Sequence, residues 1–386
     1  MRKILFFLCF LLSLEAKATV CLNMIVKNES QVIEKCLNSL KERIDYWVIV
    51  DTGSTDGTQE LIRKFMKGVP GELHERPWVN FAHNRNEALA LAKKKGDYTL
   101  FIDADEVLVF DEGFKWPAPL DKDVYYMRVR EIDAVEFIRG ALIKNALDWK
   151  WVGALHEVIH CPDVKTYGHL EGVRNLCNTG KGARTQDPQK FAKDAKVLED
   201  ALKEEPDNER YVYYLAQCYF NAKEYLLAKK NYEKRLKMGQ EDIHETFFSH
   251  YYLGRINEEL NDLEAALECY YKAYEYRPNR IEPLFRISIA YRQQGKLLLG
   301  YLIAKYALTH PYPASEPAIE YKTYDQDLLI EFANCALLIG KFDEGLDACE
   351  KLLAKPNLPP DIKPLVEKNA ALARTQLQKI KRQTDL

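Results

Sequence analysis

The sequence predicts an α/β domain followed by an all-α domain of helical repeats. Three observations predict this. Between Thr19 and Ile102, short apolar runs of strand length alternate with stretches of helical spacing, the pattern of a parallel, doubly wound sheet. Beyond residue 187 helical spacing continues without strands, and Tyr219, Asn257 and Tyr291 fall in one register at steps of 38 and 34 residues. All five Trp precede residue 152, whereas 18 of the 23 Tyr follow residue 186. Two compositions in one chain point to two architectures.

The length of 386 residues suits two or three domains of roughly 100–200 residues each. A hydrophobic fraction of 47% excludes a disordered chain. The net charge of -3 leaves no electrostatic footprint for nucleic acid, which needs a basic surface. It does not exclude small anionic substrates, since a few local groups bind those.

Residues 1–18 read as a signal peptide. Arg2 and Lys3 precede an apolar run from Ile4 to Leu14, and Ala16-Lys17-Ala18 offers a small-x-small cleavage site. The run is shorter than the about 20 residues that span a bilayer. A used signal places the protein in the secretory pathway or cell envelope; an unused one leaves it in the cytoplasm. The nine cysteines include no CxxC pair and no zinc spacing, so neither a redox motif nor a metal knuckle is expected. They leave the compartment open.

Thr19 to Val26 is the first expected strand and ends in Lys27-Asn28-Glu29-Ser30, after which Val32, Ile33, Cys36, Leu37 and Leu40 recur at helical spacing. Tyr46 to Val50 is the next strand and runs into Asp51-Thr52-Gly53-Ser54-Thr55-Asp56-Gly57-Thr58. A helix from Gln59 to Met66, a helix from Asn86 to Lys95 and a buried strand from Tyr98 to Ile102 follow, and the strand ends in Asp103-Ala104-Asp105-Glu106. Open α/β sheets bind ligands at the carboxyl ends of their strands, where these three polar clusters fall. Two carboxylates two residues apart can converge on a hard divalent cation, Mg²⁺ or Mn²⁺, which prefers oxygen ligands and substrate phosphates. The Asp51 to Thr58 stretch also reads as a turn with a helix cap from Thr55 or Asp56.

Together MIVKNES (24–30), VDTGSTDGT (50–58), FAHNRNEAL (81–89) and FIDADE (101–106) resemble the family 2 glycosyltransferases, which have the GT-A nucleotide-diphospho-sugar transferase fold. The resemblance covers residues 19 to about 160. It implies that Asn28, Glu29 and Asp51 bind the nucleotide base and ribose, that Arg85 lies near the diphosphate, and that Asp103 and Asp105 hold the metal, with Asp103 also on the donor.

Further along, Asp148-Trp149-Lys150-Trp151-Val152-Gly153-Ala154-Leu155-His156-Glu157 places two Trp beside an HE pair. Aromatic faces suit a sugar site, and core packing suits them equally. The stretch is similar to a segment of family 2 enzymes that carry C-terminal helical repeats. In the wider fold a His downstream of the D-x-D completes the metal site, which makes His156 the third-ligand candidate, ahead of His160. An inverting transfer needs a carboxylate to deprotonate the acceptor hydroxyl. Glu157 is the first choice for that base, with Glu106, Asp133 and Glu131 as rivals; no ED dipeptide of the kind common in the family is found. Residues 168–188, rich in Gly and polar groups, read as a loop and linker whose Lys181 or Arg184 are candidates for the diphosphate.

In the second half, Leu215-Ala216, Leu253-Gly254 and Ile287-Ser288 share a large-small pair. Ala228, Ala266 and Gly300 share a small position, and Tyr232, Tyr270 and Ala304 the next site; a fourth copy includes Phe332-Ala333, Gly340 and Cys349. This resembles the tetratricopeptide pattern, preceded by an unpaired helix over 188–204. Its Tyr stripe reads mainly as core, because large residues fill the gaps between repeats.

The expected architecture is a signal over 1–18, a GT-A domain over 19–186 and a tetratricopeptide-like domain over 187–386. The expected function is metal-dependent, inverting transfer from a nucleotide-diphospho-sugar, a UDP-sugar first, to a glycan, peptide, protein or lipid-linked acceptor. A homodimer or a protein partner would use the repeats. The alternative is a repeat-based binding module with a degenerate, inactive GT-A domain.

Overall fold

The computed structural model describes residues 18–131, 135–177, 181–239, 242–313, 316 and 318–384. Residues 1–17 of the expected signal, and Asp133, lie outside the described residues. The chain forms two compact units, one of residues 1–128, 139–152 and 158–183, the other of residues 129–138, 153–157 and 184–386.

The α/β part opens with β1 (Val20–Val26), α1 (Ile33–Leu40), β2 (Tyr46–Asp51), α2 (Thr58–Phe65), β3 (Gly71–Glu75), α3 (Phe81–Ala92) and β4 (Tyr98–Phe101). It continues with β5 (Glu106–Phe110), β6 (Val124–Glu131), β7 (Glu136–Lys144), β8 (Lys150–Val152), β9 (Val158–His160) and β10 (Tyr167–Cys177). Eight strands form one sheet in the order β3-β2-β1-β4-β7-β6-β10-β5, and β8 pairs with β9.

Burial on both faces of the sheet explains why β1 is apolar at every position but Asn23. Val20, Leu22, Met24 and Val26 enter the large core shared with α1 and α2, whereas Cys21 packs with Val48 and Ala92 on the other face. There Asn23 Nδ2 donates to the Ala88 carbonyl of α3 at 2.9 Å. Burying a side chain such as Leu22 or Met24 contributes about 2 kcal/mol of transfer free energy.

The doubly wound expectation holds for half of the sheet. β1 pairs in parallel with β2 and β4, and β2 with β3, but β4 meets β7 and β5 meets β10 antiparallel. A second correction concerns 168–188, expected as a loop, where β10 instead runs from Tyr167 to Cys177. Its glycines mark close approach and a bend. A Cβ on Gly168 would stand 2.6 Å from the Tyr125 ring, and Gly172 takes a φ of +73°.

The helical unit contains α4 (Lys190–Glu204), α5 (Glu209–Asn221), α6 (Tyr225–Met238), α7 (Ile243–Glu259), α8 (Leu263–Tyr276), α9 (Glu282–Gln293) and α10 (Leu297–Ala307). It ends with α11 (Leu328–Leu338), α12 (Phe342–Leu353) and α13 (Lys363–Thr384). Pairs α5/α6, α7/α8, α9/α10 and α11/α12 close with one turn, in which Lys223, Asn261, Gly295 and Gly340 take positive φ. In each, the next amide bonds back five residues: Glu224 N to Tyr219 O, Asp262 N to Asn257 O, Lys296 N to Tyr291 O and Lys341 N to Ala336 O, at 2.8–2.9 Å. This is a Schellman closure, and it sits on the Tyr219/Asn257/Tyr291 register. Tyr232, Tyr251 and Tyr270 are fully buried among Ala228, Ala266 and Ala273, so the Tyr stripe is largely core. Among the described residues no helix is long and apolar enough to cross a membrane.

Lys223 occupies the left-handed position that Gly or Asn fills in the other three turns, which costs a residue with a side chain more than it costs glycine. Lys223→Gly is expected to stabilise the protein by about 0.5–1 kcal/mol, read as a higher midpoint in urea denaturation. A lower midpoint would contradict the turn assignment.

Candidate functional site

The register of the parallel strands places the polar clusters side by side. Val26 pairs with Asp51 at the ends of β1 and β2, and Asn23 with Phe101 on β1 and β4. The loops after β1 and β2 are then stitched together. Asn28 N donates to Ser54 Oγ (2.8 Å), Glu29 N to Thr58 Oγ1 (2.9 Å), Ser30 N to Asp56 Oδ2 (3.0 Å) and Thr55 N to Asn28 Oδ1 (2.8 Å). Asn28 holds a φ of 57°, a left-handed conformation that Asn tolerates better than most residues. Helix α2 starts at Gly57 without a side-chain cap. The Asp56 expected as a cap candidate accepts instead from Thr58 N and Oγ1 at its first residue.

Asp51 is fully buried. Its Oδ1 accepts from Gly53 N (2.9 Å), Ser54 N (2.7 Å) and Gln59 Nε2 (3.0 Å). Its Oδ2 is buried with no hydrogen-bond partner. An unsatisfied buried acceptor costs about 1–3 kcal/mol, more for a charged group, and native proteins keep few of them. The second oxygen is therefore an acceptor waiting for a donor.

After β4, Asp103 is tied to two arginines. Arg85 Nη2 from α3 donates to its Oδ1 at 2.8 Å, and Arg139 Nη1 from β7 stands 3.6 Å from its Oδ2. Burial works against the Asp103 charge, but Arg85 and Arg139 hold its carboxyl below the ordinary carboxylate range. Arg85 also stands 5.0 Å over the Trp151 ring. Arg139 Nη2 continues to Glu106 Oε2 (2.6 Å), which accepts from Asn175 Nδ2 (2.8 Å) and Asp103 N (2.9 Å) as well. Glu106 is thus held in a buried network. Arg139 and Asn175 were absent from the sequence expectations, because neither lies near the D-x-D in the chain.

Asp105 lies beside Gly182, where a Cβ would come within 2.8 Å of its Oδ2, and Ala183 N donates to Glu29 Oε2 at 3.2 Å. Burial raises the Glu29 carboxyl to about 7; the Ala183 amide pulls it back, and Asp105, Asp56 and Asp103 push it further up. Among the described residues no three His, Cys, Asp or Glu side chains are grouped so that they could hold a metal ion. Arg184, a candidate for the diphosphate, is ion-paired with Asp194 in the helical unit.

Of the two tryptophans, Trp151 is buried edge-to-face against Phe101, with ring centroids 5.0 Å apart. Trp149 Nε1 donates to the Lys144 carbonyl at 3.0 Å. His160 pairs with Lys150 across β8 and β9. His156 and Glu157 belong to the helical unit. The His156 ring stacks on Tyr214 at 4.0 Å with an interplanar angle of 14°. Crowding by protein, then Arg210, Arg184 and Lys190, hold its imidazole below the usual histidine range, in the neutral form that ligates metals. Glu131 ends β6, half-buried in the same unit.

Residues 21–127 match the sequence model of Glycosyl transferase family 2. Residues 21–127 therefore form a family 2 glycosyltransferase domain, and a helical repeat region follows it. It is 25% identical over 322 residues to a TPR repeat-containing protein of Synechococcus elongatus, with 76% of each chain covered. It is 37% identical over 90 residues to the prophage-derived glycosyltransferase SunS of Bacillus subtilis, covering 23% of this chain and 20% of that one. It is also 38% identical over 86 residues to the lipopolysaccharide core biosynthesis glycosyltransferase LpsC of Rhizobium meliloti, covering 22% of this chain and 31% of that one.

The Glu29 carboxyl gives a pH signature. An acid whose folded value of about 7 lies above its ordinary 4.5 keeps its proton better when folded, so its contribution to stability is lost as pH rises through that window. The Tm gain of Glu29→Gln over the wild type is expected to grow between pH 4.5 and pH 8. A gain that shrinks with rising pH would contradict the acidic cluster.

Proposed function

We propose that the chain is a metal-dependent, inverting glycosyltransferase that moves a sugar from a nucleotide-diphospho-sugar, a UDP-sugar first, to a hydroxyl of a glycan, peptide, protein or lipid-linked acceptor. The observation that carries this is Asp51. Its buried, unpartnered Oδ2 matches a ligand N–H, as uracil N3 offers, and the Gly53 and Ser54 amides fix the carboxylate while Asn28 and Glu29 flank it.

On this reading Asp103 and Asp105 hold Mn²⁺ or Mg²⁺ together with the donor diphosphate, Arg85 balances the charge of the phosphates, and His156 is the further ligand. The bound cation supplies neutralisation of the departing diphosphate. Glu157 takes the proton from the acceptor hydroxyl as that oxygen attacks the anomeric carbon. Glu106, engaged by Arg139 and Asn175, positions the Asp103 loop and is the poorer base. Residues 19–186 are read as the transferase domain and 187–386 as the repeats. The exposed Leu298, Leu302 and Tyr306, one face of α10, support a protein partner or a second copy of the chain at the repeats.

Hydrolysis of UDP-, GDP- and dTDP-sugars with Mn²⁺ tests the reading, with turnover expected for UDP-sugars. No turnover and no thermal shift with any donor would leave a degenerate domain instead. Asp105→Asn is expected to lower Mn²⁺-dependent UDP affinity at least about tenfold, or 1.4 kcal/mol, with the melting curve unchanged. Calorimetry reads the loss, and undiminished affinity would remove Asp105 from the metal site.

A further inference from the structure

We propose that one turn of helix α5, carrying Arg210, Tyr211 and Tyr214, positions the His156–Glu157 loop for the transfer. The assignment rests on the reading above that His156 and Glu157 serve the chemistry.

His156 has a φ of 52°, a left-handed region uncommon for residues with side chains, although Asn, Asp and His enter it more readily than the rest. Such conformations persist only where the surroundings over-determine them, and they gather at functional sites. Here the surroundings come from one short stretch of helix. The Tyr214 ring stacks on the imidazole at 4.0 Å. Arg210 Nη2 donates to the His156 carbonyl at 2.9 Å, and Ala154 N donates to Tyr211 Oη at 3.1 Å. The Arg210 guanidinium also stands 4.7 Å from the Tyr214 ring, so the groups that hold the loop brace each other.

Positions 210 and 214 lie one helical turn apart and share a face. That turn is fixed in its turn, since Asn208 caps α5 by accepting from Tyr211 N at 3.1 Å. At the other end of the loop Gly153 takes a φ of +119°, and a Cβ there would meet Glu157 Cα at 3.3 Å. The loop is folded tightly at both ends, and its ring stack, carbonyl and amide are all held by α5. Tyr211 and Tyr214 are positioning residues for a His whose ring plane and a Glu whose carboxylate must each be presented in one orientation. A misplacement of about 1 Å in such a group costs on the order of a hundredfold in rate.

The test uses the full chain, with UDP-glucose and UDP-N-acetylglucosamine hydrolysis in Mn²⁺ as the assay and UDP–Mn²⁺ calorimetry beside it. Tyr214→Leu is expected to lower kcat at least about tenfold and to weaken Mn²⁺-dependent UDP binding by a smaller factor, with Tm little changed, and Tyr214→Phe, which keeps the ring, to restore most of that loss. Arg210→Gln removes the carbonyl contact and the guanidinium over the Tyr214 ring but keeps the ring stack, and is expected to lower kcat by a smaller factor, about threefold or more; it decides the matter if Tyr214→Leu does not fold. Wild-type kcat in the folded Tyr214→Leu or Arg210→Gln proteins, or an equal loss in Tyr214→Phe and Tyr214→Leu, would overturn the positioning role while leaving the transferase reading intact. Absence of turnover and of UDP binding in the wild type would overturn the transferase reading and this assignment with it.

Discussion

Arg85, Asp103, Arg139 and Glu106 form one chain of ion pairs at the end of β4, and the geometry of the candidate site depends on it. The four come from α3, the loop after β4, β7 and the first residue of β5, and Asn175 of β10 closes the chain on Glu106. Elements far apart in sequence are thereby held at one place. Glu106 is the buried member, with a side chain 3% exposed against 36% for Asp103, and a buried charge survives only when paired and hydrogen-bonded. Arg139 is the central member, since it alone touches both carboxylates.

The end of β1 and β2 is built differently. There the amides of Asn28, Glu29, Ser30 and Thr55 donate to Ser54 Oγ, Thr58 Oγ1, Asp56 Oδ2 and Asn28 Oδ1, so the loops after β1 and β2 hold each other. Neutral donors satisfy the polar groups and one oxygen of Asp51, and the other oxygen is left over. A cradle made of backbone amides is rigid before any ligand arrives, and rigidity lowers the ordering cost of binding. On the proposed reading, Glu29 and Asp56 in these loops and Asp105 after β4 would favour a divalent ion carried with a diphosphate.

Much of this was legible in the sequence because it depends on local chemistry. β1, β2 and β4 are continuous apolar runs ending in polar clusters, and their ends carry the residues that the fold brings together. The repeat register was legible too, because the Schellman closures recur at Tyr219, Asn257 and Tyr291. Arg139 and Asn175 were not, since an Arg on an antiparallel strand and an Asn among glycines acquire meaning only when β7 and β10 enter the sheet. The glycines of 168–172 signalled a loop, yet Gly168 is there to let a strand pass the Tyr125 ring. His156 was legible as a candidate ligand but not as a strained residue held by α5, because its anchors lie more than fifty residues further on.

The account stands or falls on Asp51 as the receptor of the nucleotide base. A crystal structure of the full chain soaked with UDP and Mn²⁺ measures this directly. The account predicts a base N–H within hydrogen-bond distance of Asp51 Oδ2, with the diphosphate and metal at Asp103 and Asp105. A nucleotide bound elsewhere, or an Asp51 Oδ2 still without a partner beside a bound nucleotide, would contradict it.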